Sequence, residues 1–447
     1  TRQNAGRVSY VASGKIDIAT TENISLTLGG SVDYLDRQNF NRANSLLNAD
    51  NNFRYTDLTW RGFLRFVQRF PNRSGEDGEQ ASKIKNAFYS IQLDYSRYTQ
   101  RVEDQEHGNK FFDYGYVGRF NTFRAPTYEF VDTLGAFVHT GFRDTLVTFV
   151  PSETNGDVAS ITSQYFNLFP YEAFDVANLF GGQGPSGPYE DFNAIRAGNG
   201  LLNGERPRNL YNLWNNIGFI DDPDGGEYRR RQTDQFRLTA MGSADIGQHA
   251  LSVGVEYEQL VDRRYSLAPA GLWTRARELA NFHIRNLNDG SLSNATITYP
   301  LGTVPFYTFD RLVGSDQPFF DRSLREALGL DPNGADFIDV DAIDPSVYSL
   351  DMFSAEELIN DGNSYVTFNG YDHLGNRITG RPAFEDFFDK RDANGNFTRV
   401  QAPFAPIYMA GYLMDKFAFD DIIFNVGVRV DRYDANQYQL KDKYLWR

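Results

Sequence analysis

Cysteine is missing from the 447 residues, which removes any disulfide framework, zinc–thiolate site or thiol nucleophile. Its absence is compatible with an oxidising compartment but does not fix one. Long hydrophobic runs are missing too. Hydrophobic residues make up only 41% of the chain, and no run approaches the roughly 18 to 20 apolar residues of a spanning helix. A helical membrane protein is therefore excluded. A membrane β-barrel is not, because its strands show only alternate residues to lipid and average out as polar. Basic charge is in short supply, with 44 Lys and Arg against 59 Asp and Glu and a net charge of −15. Nucleic acid as a partner needs a basic stripe and is excluded. An acidic balance suits loops projected into solvent.

Chemical signatures are equally sparse. The five histidines (His107, His139, His249, His283, His373) are scattered and form no H-E-x-x-H pair. A G-x-S-x-G nucleophile elbow is missing. Carboxylates are too numerous for spacing to pick or exclude a glycosidase pair. Gly182 to Gly187 (GQGPSG) fits G-x-G-x-x-G, but Pro185 lies inside it and no strand-to-helix context surrounds it, so it reads as a loop. Aligning Gly395 of Asp392-Ala393-Asn394-Gly395-Asn396 with the EF-hand glycine puts Lys390 and Gln401 at the end positions, so that pattern fails. Asp331, Asp336, Asp339, Asp341 and Asp344 read as a solvated acidic loop in preference to a calcium site, and the metal question stays open. No catalytic residue, cofactor or enzymatic activity is assigned.

What is abundant is aromatic and alternating. Aromatics reach 15%, natural for a barrel with interfacial girdles. Four pairs of alternating segments emerge, at about 6–36, 54–102, 232–264 and 401–435. In the last, Ile422, Phe424, Val426, Val428 and Val430 share one face, and Ile423, Asn425, Gly427, Arg429 and Asp431 the other. Its turn is at Phe419-Asp420-Asp421. Alternation alone leaves open whether the apolar face meets a protein core or lipid.

The turns within pairs are short, apart from Pro71 to Lys85, whereas residues 37–53, 103–231 and 265–400 connect the pairs. The last two connections far exceed the usual length of about 4 to 6 residues. Short turns alternating with long connections are the asymmetry of outer-membrane barrels. The aromatic content of the long connections predicts folded extracellular structure. Phe111 to Thr122 and Thr145 to Val150 are expected to add strands there. Ser323 to Leu330 and Ala355 to Ile359 are expected as short helices, capped by Asp321 or Ser323 and by Ser354. No repeat of 20 to 50 residues argues for a propeller or solenoid. The fold class is thus all-β, a transmembrane antiparallel barrel with long folded loops. Arg61, Arg65, Glu256, Glu258, Arg429 and Asp431 occupy the polar faces of its strands and are the expected lumen residues. The opening TRQNAGRVSYV holds no signal peptide, and both ends read as cut from a longer polypeptide.

The hairpin Ala405 to Gln437 (APIYMAGYLMDKFAFDDIIFNVGVRVDRYDANQ) resembles a barrel hairpin of TonB-dependent outer-membrane receptors. It is most similar to the large Bacteroidetes type that carries a carboxypeptidase-regulatory-like domain. Asp361 to Val366, Gly370-Tyr371-Asp372, Gly375-Asn376 and Gly380-Arg381-Pro382 before Phe384-Glu385-Asp386-Phe387-Phe388 resemble the extracellular region of those receptors. The likeness is closest over about 360–440. It implies residence in the bacterial outer membrane, in contact with its lipid, as part of a 22-stranded barrel closed by a plug. It also implies ligand import energised by an inner-membrane TonB-type complex, with a surface lipoprotein or other subunits as further partners. Two alternatives stay open: a docking barrel of a surface assembly, and a secreted soluble all-β polysaccharide-active protein.

Overall fold

The computed structural model describes residues 5–70, 83–168, 195–196, 200–211, 213–218, 228–299, 302–419, 421–439, 441–442 and 444. The GQGPSG stretch and most of Pro71 to Lys85 lie outside them. The described chain is mostly β: β1 (Arg7–Thr21), β2 (Ile24–Gln38), β3 (Arg54–Arg69), β4 (Ile84–Glu103), β5 (Gly118–Val131), β6 (Ala136–Pro151), β7 (Tyr228–Ile246), β8 (His249–Leu267), β9 (Ser293–Tyr299), β10 (Gly302–Thr308), β11 (Val366–Asn369), β12 (Ile407–Phe419) and β13 (Ile422–Asp434). Helices are short: α1 (Gly156–Leu168), α2 (Gly271–Leu279), α3 (Phe319–Ala327), α4 (Ala355–Ile359) and α5 (Asp386–Asp389). No described helix is long and apolar enough to cross a membrane.

The four expected hairpins form one antiparallel sheet in the order β1-β2-β3-β4-β7-β8-β12-β13. β1 pairs only with β2 and β13 only with β12, so among the described residues the sheet is open and does not close on itself. The connection after β8 is not wholly separate from this sheet, because β11 pairs with the end of β8 at Arg264 to Leu267. A second sheet, β5-β6-β10-β9, is built from the long connections. It runs through the expected Thr145 to Val150 strand. The expected strand over Phe111 to Thr122 begins only at Gly118, and most of what precedes it is turn.

Register decides which residues share a face, because side chains alternate along every strand. One face of the first sheet holds Ile16, Leu28, Leu64, Leu93, Leu238, Tyr257 and Met409 in a single lateral row. Many of its apolar residues are open to solvent, including Val255 at 54% and Val428 at 62%. Aromatic pairs bound this face at both ends. Tyr10–Tyr34, Trp60–Tyr95 and Phe236–Tyr257 lie toward the long connections, and Phe66–Tyr89 and Phe417–Phe424 toward the turns. One carboxylate, Asp415, interrupts this face near the turns, where it bonds His249 at 2.7 Å.

The apolar band does not follow the hydrogen-bonded rows. Its first polar residues toward the long connections are Asp36 on β2, Thr56 on β3, Arg97 on β4, Asp234 on β7, Gln259 on β8 and Arg432 on β13. Traced through the register, Arg432 is level with Met409, Tyr257, Leu238, Leu93, Leu64 and finally Leu28, eight residues along β2 from Asp36. Eight residues at about 3.3 Å, set against six interstrand steps of about 4.8 Å, incline the band by roughly 40° to the rows.

The buried core lies away from this sheet, in the layer built by the long connections. Trp273 of α2, Phe320 of α3, Phe112, Tyr348 and Phe353 pack there against Tyr265 and Leu267 of β8. Ring centroids of Phe320–Phe353 and Phe112–Tyr348 are 4.2 and 4.6 Å apart. Ser354 caps α4 in a full capping box with Glu357, as the sequence predicts. The other helix starts earlier than expected. α3 begins at Phe319 behind Pro318, so Asp321 and Ser323 lie inside it and neither is the cap. Proline fixes the extended backbone that an N-cap needs without offering a side-chain acceptor.

Two turns with the same D-x-x-G-N chemistry pin the end of this layer. The Asp372 carboxylate accepts from the backbone N–H groups of Leu374 and Asn376 at 3.0 and 2.8 Å. That of Asp392 accepts from Asn394 and Asn396, both at 2.9 Å. Gly375 and Gly395 take φ of +81° and +84°, which side chains disfavour. His373 sits in the first turn, and its burial holds the imidazole below the ordinary 6.5. The unfolded chain therefore binds a proton that the folded state refuses as pH falls below 6.5, and stability drops with it. Amide protection factors across residues 366–378, corrected for the intrinsic slowing of exchange in acid, are expected to fall between neutral pH and about pH 5. In His373→Gln that fall should flatten, and an unchanged fall in the variant would refute the assignment.

Candidate functional site

The six charged residues expected on polar strand faces all fall on the face opposite the apolar band. Arg61 stands across from Ser31 and Ser96, Arg65 across from Thr27 and Gln92, and Glu256 across from Thr239 and Ala410. Three of the six meet. Arg429 Nε donates to Asp431 at 3.0 Å and its other arm to the Tyr408 hydroxyl at 2.9 Å, while Tyr408 itself donates to Asp431. Glu256 lies 3.6 Å from Arg429 and pairs on its other side with Arg237. The result is a chain of alternating charge across β7, β8, β12 and β13. Glu258 stays outside this chain and accepts from Gln235 at 2.7 Å. Arg65 donates to Ser90 at 3.3 Å on β4, and Arg61 stands apart on β3.

Arg61 instead lines a concavity of about 750 Å³ with Lys15, Ser31, Asp94, Gln235 and Arg237. Sequence reasoning named neither Arg237 nor Tyr408, although a signal was present for the first. Arg237 lies between Phe236 and Leu238 on a strand whose apolar phase is plain. Tyr408 has no such signal, because only pairing with β13 brings its hydroxyl to Arg429.

A second concavity, of about 690 Å³, opens in the layer of long connections. Its rim carries Lys110, Asp113, Arg119 and Asp344, and its wall includes Phe111 and Tyr348. Hydrogen bonds from the Ser346 hydroxyl and backbone N–H hold the Asp344 carboxyl below its ordinary range, so it is charged at neutral pH. Burial pushes the Tyr348 phenol well up, so it remains a neutral donor and bonds the Val340 carbonyl at 2.7 Å. Fixed charges beside aromatic walls can orient a polar ligand that also presents an apolar face.

The acidic cluster expected as a solvated loop is in fact divided and partly buried. Asp341 is 1% exposed and takes both arms of Arg277 at 2.7 and 2.8 Å. Burial works against the Arg277 charge, but Asp341 outweighs it and raises the guanidinium above its ordinary range. Asp339 accepts from the Thr122 backbone at 2.7 Å. Among the described residues no group of three or more His, Asp or Glu converges to hold a metal ion. Comparison with protein-family models, with curated proteins and with solved structures finds no match to the chain.

Proposed function

We propose that the sheet is a section of the wall of an outer-membrane β-barrel, and that the chain serves a receptor of the TonB-dependent kind. One observation carries the membrane reading: an exposed apolar band, edged by aromatic pairs, inclined by roughly 40° to the strand register. Strands in barrels tilt by about 35–45° against the axis, so a lipid layer must cross the register at that angle. The face of a soluble sandwich has no reason to carry such an incline, and its apolar side would be buried. On this reading the charged chain around Glu256 and Arg429 faces the lumen, and the turns face the periplasm.

The receptor reading rests on the sequence resemblance together with the folded outer layer and its 690 Å³ concavity. Ligand is captured there and imported through the barrel, energised by an inner-membrane complex. The open edges of β1 and β13 support a wall completed by further strands, since no unpaired edge is tolerated in lipid.

The test is a fractionation followed by reconstitution. The chain is expected to require detergent and to insert into phosphatidylcholine vesicles, where brominated acyl chains quench its tryptophan fluorescence. Recovery from the aqueous fraction without detergent, with no quenching, would overturn the membrane reading. Transport is tested separately: a host lacking its TonB-type complex should lose import but keep surface binding of the ligand. Import that persists without that complex would overturn energised transport, and surface binding without import in either host would favour the docking barrel.

A further inference from the structure

The outward, apolar face is not symmetrical between its two ends. Toward the long connections β3 and β4 carry three partly exposed arginines: Arg54, Arg97 and Arg101, at 40, 31 and 53% side-chain exposure. Toward the turns the described strand residues of the same face include no arginine or lysine, while Thr20, Gln68, His249 and the Asp415 carboxylate are among its polar groups. Each arginine has a carboxylate within reach, yet none is saturated. Arg54 grips Asp36 at 2.5 Å, Arg97 shares Asp234 with Arg263, and Arg101 reaches Glu103 only at 3.6 Å. Guanidinium forks suit phosphate oxygens, which they bind in bidentate geometry.

Directly below Arg97, an apolar groove of about 740 Å³ runs along the same face. It is lined by Ile16, Leu28, Leu64, Leu93 and Phe236, with Tyr95 at its edge. The sheet is thin there because Gly14, Gly30 and Gly62 share one lateral row. Trp60 lies beside this row, and Arg97 is stacked 5.9 Å from its ring. Arg97 set immediately above an apolar groove, with Arg101 and Arg54 four and six strand positions farther on, complements a molecule with phosphate groups at one end and a hydrocarbon chain at the other.

We infer that β3 and β4 bind a phosphorylated lipid of the outer leaflet, its phosphate groups on Arg54, Arg97 and Arg101 and an acyl chain in the groove. This rests on the membrane reading above. It adds that the barrel selects its lipid on one side and at one leaflet.

The experiment places the full chain in brominated phosphatidylcholine vesicles with and without one part in five of lipid A, a bisphosphorylated glycolipid. Lipid A should displace the brominated lipid and relieve tryptophan quenching in preference to unbrominated phosphatidylcholine. Arg54→Gln with Arg101→Gln should lower that preference by about twenty-fivefold, at about fivefold per arginine near an anionic headgroup. If the double variant fails to insert, Arg101→Gln alone should still lower it by about fivefold. Arg7→Gln, at the same end but on the opposite face, should leave the preference intact. A wild-type chain without preference, or an Arg101→Gln chain that keeps all of it, overturns the inference. So does inorganic phosphate that competes as well as lipid A, which would mark an anion site without lipid selection. Absence of quenching by brominated lipid in any sample would instead bring down the membrane reading itself.

Discussion

Arginine in place of Val255 is expected to destabilise the protein in a bilayer by about 2–4 kcal/mol, measured as the guanidinium unfolding free energy in phosphatidylcholine vesicles. Val255 lies on a central strand of the apolar face, 54% exposed and flanked laterally by Ala240 and Gly411. Those small neighbours leave room for the longer side chain, so steric crowding contributes little. The cost arises from holding a guanidinium where the proposed hydrocarbon lies. The same face in water would behave differently: an exposed Val→Arg change usually moves stability by no more than about 0.5 kcal/mol. The matched control is Thr239→Arg, across from Glu256 on the opposite face, where a charge meets an aqueous or protein-lined lumen. That variant should stay within about 1 kcal/mol of the wild type. Equal costs at the two positions would contradict a lipid-facing assignment for either side.

The contrast between these positions also shows what could be read from residues alone. Alternation placed Val255 and Glu256 on opposite faces without any structure, because a strand has a period of two and a phase error would scramble every apolar residue. The same rule put Arg61, Arg65, Glu258, Arg429 and Asp431 on one face, where the register collects them. What alternation cannot supply is the lateral alignment of separate strands. The incline of the apolar band, and the contact of Arg429 with Tyr408 and Glu256, exist only once β8, β12 and β13 are paired.

The layer of long connections was legible as folded but not in its details. Some of its elements are short: β11 has four residues and α4 five, too few for a period to declare itself. Ser354 was readable because a capping box is a local signature. The start of α3 was misread because Asp321 has the right chemistry for a cap and the wrong location. Its carboxylate is committed elsewhere, to Arg325 and Gln317 nearby and to Asn281, which is distant in sequence.

Those commitments make Asp321 the second position of large effect. It is fully buried with Arg325, four residues on, whose Nε donates to it at 2.8 Å. The other carboxylate oxygen accepts the Asn281 backbone N–H at 2.7 Å, and Gln317 adds a further bond at 2.8 Å. His283 Nδ1 stands 3.3 Å from the same oxygen that Arg325 bonds. Asp321→Asn keeps the shape and removes the charge, which leaves the Arg325 guanidinium buried without its counter-ion. A loss of about 3–5 kcal/mol is expected in chemical denaturation of the detergent-solubilised chain. The two terminal nitrogens of Arg325 already lack hydrogen-bond partners, so the wild-type pair offsets its own desolvation poorly. A double replacement, Asp321→Leu with Arg325→Met, should therefore recover most of what the single change loses. The backbone N–H of Asn281 would then be the remaining unpaired donor and sets the residual cost at about 1–3 kcal/mol. A double variant as unstable as Asp321→Asn would mean that the ion pair is itself a net source of stability. A single variant that loses less than about 1 kcal/mol would mean that water reaches Arg325 and that the core of the outer layer is looser than its packing indicates.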